Sequence, residues 1–372
     1  MAALLNPMFR RVAAACRRIS TPAAAGPLVS HWSSQERYSS SLVDVSGGFS
    51  EMLDATQRYY VVGGKGGVGK TSMAASLAVK FANHGEPTLI VSMDPTRSLS
   101  DSFEQDLGVG KTVRVDGFDS LFATEIGHVK IEDAGIASLI NNVLGRMGLT
   151  HVDPSMLNGV LNRVPPGLEE ALALSQLVKS IETQGADKYR RIVLDAPSTG
   201  YTLKLLSANN WFGKLVGMAI KFVNAAASMP NAASSMPTSK LSPEQVQVIS
   251  SGLEELRQQT ARVRELLFDS RSSEFIIVTI PTMMAVSESS RFNESLKKDG
   301  AHTRRLVVNQ VLPASASDCR FCAAKRREQA RAFGAIREDR DLGGLKLIQA
   351  PLLDVEVKGV PALRFLSDSV WK

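Results

Sequence analysis

The stretch YYVVGGKGGVGKTSMAASLAVKFANHG (59–85) constrains this chain more than any other. Four branched or aromatic residues form a short apolar run, a glycine-rich loop follows, and a run with helical apolar spacing closes at Gly85. Inside it, Gly64, Gly69, Lys70 and Thr71 satisfy G-x-x-x-x-G-K-[ST] between a predicted strand and a predicted helix, the context that turns this pattern into a phosphate site. Glycines let backbone N–H groups of Gly66, Gly67, Val68 and Gly69 turn toward a β-phosphate, and the helix N-terminus adds partial positive charge. Lys70 reaches the β/γ oxygens and the Thr71 hydroxyl ligates Mg²⁺, so ATP and Mg are the expected ligands. The same loop carries a second lysine, Lys65, for which one bound nucleotide provides no task.

The next apolar run, TLIVSMD (88–94), makes this a βαβ unit and therefore part of a parallel sheet. RRIVLDAP (190–197), EFIIVTIP (274–281), RRLVVNQVL (304–312) and LKLIQAPLL (345–353) read as further buried strands separated by helical stretches, including 242–269 and the basic 322–339. The expected fold is α/β, a doubly wound, mostly parallel sheet. Segments 127–185 and 201–270 lack strand signals and are expected to form an inserted helical subdomain of an ATPase domain spanning 51–372. No solenoid repeat is evident, and one phosphate loop argues against duplicated halves.

Two strand ends carry acids. Asp94, in SMDPTRSLSDSF (92–103), falls where ligands of such sheets bind and is a candidate to orient or deprotonate an attacking water; an Asp-Pro turn is the structural alternative. Asp195, in VLDAPSTG (193–200), is expected to hold Mg²⁺ through water. Gly200 is placed to approach a γ-phosphate by its backbone and to move on hydrolysis.

The ends differ from the middle. Residues 1–38 hold five arginines and one acid, a net +4 out of a formal +6 for all 372 residues. The remainder is nearly neutral, which gives no reason to expect a nucleic-acid partner. Leu5, Met8, Phe9, Val12, Cys16 and Ile19 share one helical face with the arginine pairs largely off it, the build of a transit peptide, with RYSS (37–40) as a processing site. A mitochondrial matrix address is expected, a plastid stroma the alternative, with a linker over 39–50. No window reaches the roughly 18 apolar residues of a spanning helix. Of three cysteines, Cys319 and Cys322 remain after that segment, and this C-x-x-C suits half a zinc site or a redox pair.

In order, GKGGVGKT, SMDPTRSLSDSF, LDAPSTGYTLKLL, VVNQVLP and APLLDVEVKG resemble the ArsA family of P-loop ATPases over about residues 58–370, and within it the single-core branch that targets tail-anchored membrane proteins. The resemblance implies a homodimer with a deviant Walker A loop. Lys65 then matches the lysine that crosses to the partner's phosphates, Asp94 the switch I acid that activates water, Asp195 the switch II acid near Mg²⁺, and Asn309 the adenine-recognising asparagine. Pro351 to Val357 match the loop over the base. Cys319 and Cys322 match a C-x-x-C whose two copies hold one Zn at the dimer interface. The chain departs from the family pattern at Arg97, where histidine is usual, and at Tyr201, again for histidine, with the switch II proline displaced by one position.

The targeting branch captures a transmembrane helix in an apolar groove. Phe212, Leu215, Val216, Ile220 and Val223, with Met218, have the spacing for one, and Met229 and Met236 lie nearby. An ordinary core helix has the same pattern. Three functions follow: an ATPase that captures and delivers apolar segments to a membrane receptor, the energy-coupling ATPase of a metalloid pump, or a MinD-like or iron–sulfur carrier scaffold.

Overall fold

Every run read as a strand forms one; most are apolar on both faces and buried between helical layers, while the last, Lys346–Pro351, is a half-buried edge. The computed structural model describes residues 48–126 except 95 and 109, 188–204, 206, 264–372 and isolated helical positions between 247 and 262, all within the unit Val45–Lys372. The transit segment, most of the linker, most of the two insertions and the whole client-groove stretch lie outside the described residues.

The described elements run α1 (Gly48–Asp54), β1 (Tyr59–Gly64), α2 (Lys70–Asn83), β2 (Thr88–Ser92), α3 (Ser98–Phe103), β3 (Val113–Arg114), β4 (Leu121–Glu125), β5 (Arg191–Ser198), β6 (Ser273–Thr279), α4 (Met283–Lys298), β7 (Thr303–Val311), α5 (Arg320–Glu338), β8 (Lys346–Pro351) and α6 (Gly359–Val370). They build an eight-stranded sheet in the order β3-β4-β2-β5-β1-β6-β7-β8. Only the β3–β4 pair is antiparallel. The other pairs are parallel, with Val62 facing Asp195 on β5 and Ile276 on β6.

The two-residue alternation of β1 divides the core. Tyr60 and Val62 face the layer of α2 and α6, with Met73, Leu77, Phe81, Leu363 and Trp371. Tyr59 and Val61 face the opposite layer with Phe292 and Leu296 of α4 and Ile336 of α5. Alanine supplies Ala74, Ala75, Ala78 and Ala82 of α2, which suits a helix that must lie close on a sheet. That helix ends with the His84 and Gly85 N–H groups bonded back into its last turn.

Sequence reading did not name β3 and β4. LFATE is five residues ending in an acid, too short and mixed to signal a strand alone, and it forms because β2 supplies a parallel edge. Helix α1 begins within the stretch expected to be linker: Phe49 is in the core, and its N–H donates to the Lys372 carbonyl at 2.9 Å.

Candidate nucleotide and switch site

Gly64 leaves β1 at φ 153°, where an added Cβ would lie 2.1 Å from the Val278 carbonyl oxygen of β6. The neighbouring strand therefore dictates glycine there. Gly69 sits at φ 88° as the residue before α2, and its added Cβ would come within 2.4 Å of Asn309 Nδ2. Because Gly69 offers no side-chain cap, the first N–H groups of α2 stay open toward the loop, as phosphate binding requires.

Lys70 is buried and curls over its own loop, Nζ donating to the Lys65 carbonyl at 3.5 Å. Near it, Asp195 is wholly buried in the second half of β5. Its Oδ2 accepts from Thr71 Oγ1 at 2.9 Å and Ser92 Oγ at 3.1 Å. Its Oδ1 is buried with no partner. Burial pushes this carboxyl up to about 7, while Thr71, Lys70 and Ser92 pull it down and the Asp94 charge raises it further. An orphaned carboxylate oxygen beside the Thr71 hydroxyl is a hard oxygen donor set, so these residues fit Mg²⁺.

The sign of the pH effect follows. Between about pH 4 and pH 7 the folded chain keeps the Asp195 proton that the unfolded chain has released, so this group's contribution to stability falls as pH rises through that window. Nucleotide-free protein is expected to lose on the order of 4 kcal/mol from this source across that window, and Asp195→Asn to flatten the slope of Tm against pH. Measuring Tm from pH 5 to pH 8 in both proteins checks it; a slope unchanged by the substitution would assign the effect elsewhere.

Asp94 lies just past β2, as expected, but its carboxylate is engaged. Oδ1 accepts from the Thr96 N–H at 3.1 Å and from Thr96 Oγ1 at 2.7 Å, and the Asp94 N–H donates to Ser92 Oγ at 3.2 Å. The turn, which the sequence offers as the structural alternative, is therefore present.

Lys65 reaches toward α4. Its ammonium forms an ion pair with Glu288 of α4, whose Oε1 also accepts from Thr199 Oγ1 at 2.7 Å. Partial burial pushes the Glu288 carboxyl upward, but the bonds from Lys65 and Thr199 outweigh it and hold the group below the usual carboxylate range. Sequence reading missed Glu288. MMAVSESS shows only a helix, and nothing but the alignment of α4 with the sheet's C-terminal edge brings its second turn to the loop.

Asn309 is buried near the end of β7. Its Nδ2 donates to the Val68 carbonyl at 2.9 Å and its Oδ1 accepts from the Gln310 N–H at 2.8 Å. It borders a cavity of about 520 Å³ lined also by Ser72, Pro351, Leu353, Val357 and Lys358, of a size for a nucleoside. Gly64 to Thr71, Asn309 and Pro351 therefore gather around one edge of the sheet, whereas Cys319 and Cys322 lie at the start of α5, after β7.

Cys319 caps α5, its Sγ accepting from the Cys322 N–H at 3.4 Å, while Ser317 Oγ lies 3.7 Å from Cys322 Sγ. Bonds from Ser317 and from Cys322 draw the Cys319 thiol down to about 7. Among the described residues no cluster of three or more His, Cys, Asp or Glu side chains is arranged for a metal, and Cys319 and Cys322 are two thiols without further ligands beside them.

Residues 57–372 match the family profile described as anion-transporting ATPase, ArsA. ATPase GET3B from Arabidopsis thaliana is 46% identical over 338 residues, covering 87% of this chain and 81% of that one. ATPase GET3C from the same plant is 44% identical over 338 residues, covering 87% and 85%. ATPase get3 from Neurospora crassa is 31% identical over 318 residues, covering 85% and 91%.

Proposed function

We propose, from the premise that this chain belongs to the ArsA family of P-loop ATPases, that it works as a homodimer that captures apolar transmembrane segments of tail-anchored proteins and delivers them inside an organelle. ATP hydrolysis is the family activity, and the residues divide that labour. Loop amides and Lys70 bind the phosphates, Thr71 and Asp195 hold Mg²⁺, and Asp94 orients the water once Thr96 releases its carboxylate. Mg²⁺ would be held by Thr71 and Asp195 and would supply charge neutralisation to the phosphates.

The observation that carries this reading is the Glu288 bridge. It ties Lys65 of the phosphate loop to Thr199 of switch II within one chain. A lysine paired with Glu288 beside the segment read as switch II suits release toward a second subunit on ATP binding. Delivery of apolar clients rests on the resemblance to the targeting branch and on the Phe212–Val223 spacing, and a mitochondrial matrix location on residues 1–38. Two copies of Cys319 and Cys322 would supply the four thiolates structural zinc prefers.

Purified full chain with ATP, incubated with a tail-anchor helix in the absence of detergent, tests this. A soluble complex of two chains per client, formed with ATP and lost on hydrolysis, is expected, with about one zinc per two chains. Absence of any held helix would remove the client assignment and leave the ATPase intact. Strong stimulation by arsenite would favour the pump, and iron with sulfide a carrier scaffold.

A further inference from the structure

Arg97 enters α3 in the left-handed backbone conformation, φ 55° and ψ 22°, which a residue bearing Cβ adopts only when its surroundings hold it there. Two carboxylates do so. Its Nε donates to Glu125 Oε2 at 3.3 Å and its Nη2 to Asp106 Oδ1. Glu125 is the last residue of β4 and its side chain is 2% exposed, so this end of the clamp is fixed to the sheet. Its carboxylate also accepts from the Ser100 N–H and from Ser100 Oγ, both at 2.8 Å. The Asp106 carboxyl lies below its usual range, through the Gly108 N–H and the Arg97 guanidinium.

The far end of α3 repeats the arrangement. Glu104 is left-handed at φ 54°, and its Oε1 lies 3.4 Å from Nζ of Lys358, a residue lining the base cavity. One side of α3, with Ser98, Asp101 and Ser102, faces the same cavity. A six-residue helix is thus restrained at both ends, against the sheet edge and against the base loop.

What precedes the clamp is the catalytic turn. Thr96 adjoins Arg97, and its N–H and hydroxyl occupy Asp94 Oδ1 while its hydroxyl also meets Ser98 Oγ at 2.5 Å. Freeing Asp94 Oδ1 breaks both Thr96 bonds, and the clamp on the adjoining Arg97 keeps Thr96 placed to remake them. We propose that Arg97 is a positioning residue that restrains switch I in its resting form, keeping Asp94 bonded to Thr96 until nucleotide in the cavity shifts α3. The proposal rests on the reading of Asp94 as the group that orients water.

The full chain with Arg97→Gln tests it: the buried Glu125 carboxylate loses the Arg97 cation but keeps both Ser100 donors, so Tm is measured together with turnover. Turnover is expected to rise about threefold to tenfold, with ATP affinity within about twofold of wild type. Hydrogen exchange at the amides of residues 96–100 should become faster. Arg97→Lys, which retains a cation, should return both readouts toward wild type, and Asp106→Asn, which loses only the exposed half of the clamp, should fall between. Unchanged turnover with unchanged exchange overturns the proposal. So does a fall in turnover accompanied by a large drop in Tm, which would make Arg97 a structural anchor only. Asp94→Asn is measured alongside: if that variant hydrolyses at the wild-type rate, the role of Asp94 fails, while the exchange data still judge the clamp.

Discussion

Lys65→Ala is expected to lower turnover about a thousandfold while leaving the affinity for ATP within a few-fold of wild type. The asymmetry follows from the loop. Lys70 and the open N–H groups of α2 remain to bind the chain's own nucleotide, whereas Lys65 contacts Glu288 instead. Single-turnover hydrolysis and equilibrium binding separate the two quantities; equal losses in both would make Lys65 an ordinary loop lysine. A mixing experiment sharpens the point. Lys65→Ala and Asp94→Asn chains, each inactive alone, should recover about a quarter of wild-type activity when mixed, because in half of the dimers one site receives Lys65 from the partner. No recovery would place the lysine's action within its own subunit.

Asp94→Asn should reduce turnover by about 10²–10⁴-fold with little change in stability. The amide oxygen of asparagine still accepts from the Thr96 N–H and hydroxyl, so the turn that now holds Asp94 is retained while the basic carboxylate is lost. Phosphate release under single-turnover conditions measures the first effect and Tm the second. The protein should accumulate with ATP bound, which also makes this variant the one for trapping clients from isolated organelles. Hydrolysis near the wild-type rate would restrict Asp94 to its turn.

The two acids illustrate how legibility varied. Asp195 was placed by a simple rule, an acid at the end of an apolar strand, and its hydrogen bond to Thr71, 124 positions earlier, follows once β1 and β5 are neighbours. Asp94 obeyed the same rule, yet its hydrogen bonds to Thr96 depend on turn geometry no spacing encodes. Glu125 and Glu288 were invisible. Glu125 ends a five-residue strand whose existence depends on pairing with β2, and Glu288 lies inside a helix whose sequence marks no face as special.

The sequence by itself determined the phosphate loop, the strands β1, β2 and β5 to β8 and the family, because those features are local: a glycine pattern beside a strand and a helix, and apolar runs suited to burial in a sheet. Tertiary structure alone decided where the charges end up. Lys65 against Glu288, Arg97 between Glu125 and Asp106, and Asn309 against Val68 join residues up to 241 positions apart, brought together at one sheet edge by strand order. A side chain's partner depends on packing distance rather than chain distance, so the resting state of the switches could be read only from the folded chain.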